Sequence, residues 1–215
     1  MYSDTVQSIP FPFPLNELSQ LNHILYESDS KTYSTKTNKT IDDIPTDITT
    51  TRGIIKYISK CNSTDQLCAH ILNTPTIIIS NPDNFELTEV LDTICIYLYS
   101  KNEKLQLSCL KAFYELLSNM NSKTSSFSTL ISTLPPILYH FLERTPRTQY
   151  IITDNMMQVI TQIIERFTAL PKTSSEDMRL LQDICHEISN DNNVSFTVQQ
   201  DARSCYLKLT SSNPG

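Results

Sequence analysis

Leu105-Gln106-Leu107-Ser108-Cys109-Leu110-Lys111-Ala112-Phe113-Tyr114-Glu115-Leu116 is the stretch that decides the fold of this chain. Leu105, Cys109, Phe113 and Leu116 fall on one side of a helix at the 3.6-residue period, with the polar Gln106 next to the first of them. The order returns about 93 positions later as Val198, Gln199, Ala202, Tyr206 and Leu209, and roughly halfway between as Ile152, Thr153, Met156, Ile160 and Ile163. A face recurring every 46 to 47 residues or so has the period of a helical-hairpin repeat, so the chain reads as a solenoid of helices.

Working outward, three helix pairs are expected after Phe85. The first is Glu86 to Ser100, then Glu103 to Met120 with Asn102 as its cap. The second is Ser128 to Arg144, where Pro135 and Pro136 predict a kink or a restarted helix, then Ile152 to Ala169, for which Asp154 is the better cap. The third is Ser175 to Ser189, with Ser174 and Asp177 at capping-box spacing, then Phe196 to Thr210, which Ser195 can cap. Upstream, Arg52 to Lys60 and Asp65 to Leu72 carry helical stripes. The β-branched run from Pro75 to Ser80 is expected to be a short helix or turn, because a lone strand has no partner for its backbone.

The first residues differ in kind. The expected divisions are an extended Pro/Phe segment over 1–14, a short helix over 15–26, a Ser/Thr/Asn-rich flexible loop over 27–51, a helical repeat domain over 52–210 and a tail over 211–215. Phe11 and Phe13 alternate with prolines that enforce an extended backbone. They are expected either to cover an open end of the stack or to serve as a linear motif.

Composition removes several function classes. Gly53 and Gly215 are the only glycines in 215 residues, which argues against phosphate-cradling loops, dinucleotide turns and nucleophile elbows. A net charge of −6 without a basic stripe argues against nucleic acid. No apolar run is long enough to insert in a membrane, and no secretion signal opens the chain, so an intracellular, cytoplasmic rather than nuclear, protein is expected. The Asn-X-Ser/Thr triplets at Asn38, Asn62 and Asn193 are then chance matches. Six cysteines lack the close spacing of zinc or redox sites, and the four histidines stand apart, so no metal or other cofactor is expected. Ser174 and Ser175, followed by Glu176 and Asp177, fit an acidic-directed phosphorylation pattern and Thr145-Pro146 a proline-directed one, as well as they fit a cap and a loop.

Val198-Gln199 followed by Ala202, Tyr206 and Leu209 resembles the second helix of a HEAT unit, and Leu134-Pro135-Pro136-Ile137-Leu138 resembles the first. The chain from about Phe85 to Leu209 is therefore similar to the armadillo and HEAT repeat superfamily, with Arg52 to Leu72 as a degenerate first unit. That resemblance implies an all-α, right-handed superhelix of antiparallel helix pairs. It also implies a non-enzymatic scaffold or adaptor that binds other proteins, such as an extended peptide segment, within a larger assembly. Polar positions on the second helices would form the binding face: Gln106, Lys111, Glu115, Gln158, Gln162, Arg166, Gln199, Arg203 and Lys208. The alternatives are a regulatory domain or fragment of a longer repeat protein, and an all-α enzyme or GTPase regulator, against which the missing catalytic motifs count. At the last helix, Val198, Ala202, Cys205 and Leu209 are expected inside, with Tyr206 and Leu207 outside.

Overall fold

The computed structural model describes residues 48–144, 154–170 and 173–211. They all belong to one compact unit, Asp42–Gly215. Eight α-helices make up this region: α1 Thr51–Ser59, α2 Thr64–Ser80, α3 Leu87–Leu98, α4 Glu103–Asn119, α5 Ser125–Arg144, α6 Asp154–Thr168, α7 Ser175–Asn190 and α8 Phe196–Ser211. A 3-10 turn, Pro82–Asn84, precedes α3, and there is no strand among the described residues. The segments expected over 1–14 and 15–26, most of the loop over 27–51, Thr145-Pro146 and the start of the helix expected from Ile152 lie outside the described residues.

Local chemistry accounts for the helix starts. The side chains of Thr50, Ser63, Asn102 and Ser174 each accept a backbone N–H from the first turn of α1, α2, α4 and α7, from residues of extended conformation. Ser174 also donates its hydroxyl to the Asp177 carboxylate at 2.6 Å. Asp154 does not take the expected cap position: it is the first residue of α6, and its carboxylate accepts the Ser195 backbone N–H at 2.7 Å, tying α6 to the start of α8. No described residue has positive φ, so the turns proceed without left-handed caps. Asn121 and Asp191 instead accept the backbone N–H two residues on, at 3.0 and 2.9 Å, which is how a chain with two glycines can still reverse direction.

Prolines interrupt less than the sequence predicts. Pro75 lies inside α2, which runs unbroken to Ser80 and absorbs the β-branched run expected to be a separate short element. Pro135 and Pro136 lie inside α5, which does not restart. Each proline removes a donor and strains the preceding turn, a penalty of about 3 kcal/mol in an isolated helix. Here Pro75 and Pro135 are buried, and the apolar side chains around them, such as Ile77, Ile78, Leu134 and Leu138, offset that penalty by packing.

Tertiary contacts fall into two rows. α1 packs on α3, α3 on α5 and α5 on α7; α2 packs on α4, α4 on α6 and α6 on α8. Cross-contacts within α1–α2, α3–α4 and α7–α8 join the rows. One continuous core runs between them from Ile54 to Leu209, with Phe113, Phe141 and Phe167 fully enclosed. At roughly 25 cal/mol per Å² of apolar surface, each such ring contributes about 2–3 kcal/mol.

At α8, Val198, Ala202, Cys205 and Leu209 are buried, as are Leu181, Ile184 and Ile188 of α7. Leu207 is 66 % exposed, as expected. Tyr206 is not on the outside: it lies half-buried against the core with its ring 6.3 Å from that of His186, because one residue rotates the side chain about 100° toward α7.

Candidate functional site

The second row, α2, α4 and α6, encloses an open groove of about 660 Å³. α2 contributes Leu72, Pro75, Thr76, Ile79 and Ser80, the i, i+3, i+4, i+7, i+8 stripe of one helical face. α4 contributes Lys111, Tyr114, Glu115 and Asn119, and α6 contributes Val159 and Gln162. The α2 stripe is unusual because that helix already buries Leu67, Cys68, Ile71, Ile77 and Ile78 on other sides. A helix that is apolar around most of its circumference belongs in an interior. Leu72 nevertheless remains 40 % exposed, one of three large apolar side chains so exposed among the described residues.

The groove rim is polar. Glu115 accepts the Asn119 side-chain amide at 2.6 Å, and Arg166 places its guanidinium 5.6 Å from the Tyr114 ring centre while donating to the Tyr114 hydroxyl at 3.3 Å. Lys111 and Gln162 are exposed beside this pair. The result is an apolar floor with hydrogen-bond donors, acceptors and charges of both signs along its edge.

The nine polar residues expected to form one binding face divide into several groups. Lys111, Glu115 and Gln162 line the groove, Arg166 borders it through Tyr114, and Gln158 is exposed elsewhere on α6. Gln106 is buried, and its amide donates to the Ser100 carbonyl at 2.8 Å. Its repeat counterpart Gln199 donates to the carbonyls of Asp191 and Val194 at 2.8 and 3.0 Å. The recurring glutamine therefore clasps the loop that leads into its own helix. Arg203 donates to the Ser189 carbonyl at 3.2 Å, and Lys208 pairs with Glu165 at 3.0 Å; both lie on α8, beyond the groove. The contribution of α2 escaped sequence reasoning because Pro75 masked the helical continuity of Leu72, Thr76 and Ile79.

A second grouping is also absent from the sequence pattern. Cys61 and His70, nine residues apart, come together with 3.2 Å between Sγ and Nδ1, and the His70 ring stacks on Tyr57 at 3.8 Å. The same Nδ1 lies 2.7 Å from the Tyr57 carbonyl, which can only accept, so that nitrogen carries the proton. It therefore cannot take a proton from the thiol, which itself donates to the Ile58 carbonyl at 3.0 Å. Burial pushes the Cys61 thiol up to about 11, the opposite of what a nucleophile needs. The pair fastens α1 to α2.

Cys68, Cys95, Cys109, Cys185 and Cys205 are buried free thiols. His140 lies 3.5 Å from Glu143, and His186 faces Asn190 and Tyr206. Among the described residues no group of three or more His, Cys, Asp or Glu side chains is gathered to hold a metal ion, and no helix is long and apolar enough to cross a membrane. No protein family matches this chain, and comparison with curated proteins and with solved structures finds no match.

Proposed function

We propose that this chain is a non-catalytic scaffold of the armadillo or HEAT type, a right-handed superhelix of antiparallel helix pairs that receives an extended segment of another protein in the groove of α2, α4 and α6. The observation that carries this reading is the union of an apolar floor, Leu72, Pro75, Ile79 and Val159, with a rim of amides, hydroxyls and charges. An extended segment must find partners for its own backbone N–H and C=O groups, whereas a helix satisfies its own. Gln162, Thr76 and Asn119 are side chains of the type that supply them. The alternation of contacts within two rows supports the repeat architecture, since each helix in a repeat stack meets the one two places along.

The test is site-specific photo-crosslinking in cells, from probes placed at Thr76 and Gln162 in the groove and at the exposed Glu89 on α3. A discrete adduct from the two groove positions and none from Glu89 is expected. Equal labelling from Glu89, or adducts from it alone, would move the binding surface to the other row. Leu72→Glu should remove the groove adduct while leaving the helical circular dichroism signal unchanged.

A further inference from the structure

We draw no further inference here: the strongest candidate, the cationic edge of the α2, α4 and α6 groove where Lys111 lies beside the Tyr114–Arg166 pair, belongs to the site already described, and Glu115 on the same edge leaves the charge of an occupant unselected.

Discussion

α4 and α8 share a sequence stripe, but α4 is enclosed on most of its circumference and α8 on one side only. Leu105, Cys109, Ala112 and Leu116 of α4 are buried, as are their counterparts Val198, Ala202, Cys205 and Leu209 of α8. α4 additionally buries Gln106, Ser108, Leu110 and Leu117, where α8 has Gln199, Asp201, Arg203 and Thr210. The common stripe faces the core that both helices cover. The extra one faces a neighbour: α4 lies between α2 and α6 in its row, whereas α8 has α6 on one side. A repeat thus preserves the contacts made inside each unit, while contacts between units vary with place in the stack.

The strongest way to break this comparison is to exchange residues between equivalent positions. Leu110→Arg places an unpaired charge in a fully buried site and is expected to cost about 4 kcal/mol or more, or to prevent folding. Arg203→Leu, on the exposed face, is expected to change stability by less than ~1 kcal/mol. Urea denaturation of both variants measures the difference, and similar losses would show that the two environments are alike.

Ala202→Glu comes next, because Ala202 is fully buried but lies on the last of the described helices. Hydrogen exchange should show α8, and the face of α7 beneath it, losing protection by about 3 kcal/mol while α2 and α4 keep theirs. Uniform loss throughout would mean that the stack unfolds only as a whole.

The loop-clasping glutamines refine the comparison. Gln106→Ala leaves the Ser100 carbonyl without its partner in a buried setting and should cost about 1–2 kcal/mol. Gln199→Ala removes two such bonds, yet water reaches this half-exposed site, so a smaller loss is expected in thermal unfolding.

A smaller effect follows pH. Burial, with the Glu165 carboxylate adding to it, pushes the Cys205 thiol from its ordinary 9.0 up to about 11. Below the ordinary value both folded and unfolded chains hold the proton, and this contribution to stability is intact. As pH rises from there toward about 11 only the unfolded chain ionises, so stability falls across that window. Cys205→Ala should flatten the loss over this window relative to the parent chain in denaturation midpoints measured at pH steps. Lys208→Met, which breaks the exposed pair with Glu165, should shift the midpoint least of all, since solvent and salt already screen that interaction.

Several helix starts were legible because a cap acts over three residues: Asn102 and Ser174 declare themselves by side-chain type. The continuity of α2 was not, because Pro75 reads locally as a stop and only packing around Ile71, Ile77 and Ile78 explains why the helix runs past it. The candidate groove was half legible for the same reason. Lys111, Glu115 and Gln162 lie on expected helices, whereas Leu72, Thr76 and Ile79 required α2 to be one element. Gln106 and Gln199 looked like surface polar residues on a binding face. Their true partners are loop carbonyls, which no side-chain pattern marks.

By itself the sequence determined that this chain is helical, where most of its helices begin, and which stripe of each faces a core. These depend on the 3.6-residue period and on hydrogen bonds that close within one turn. Only the tertiary structure decided which polar side chains are spent on loops, that α2, α4 and α6 open a groove together, and that Tyr206 turns toward α7 while Leu207 stays exposed. Those outcomes depend on residues far apart in the chain, such as Tyr114 with Arg166 or Asp154 with Ser195, whose meeting follows from how the helices stack.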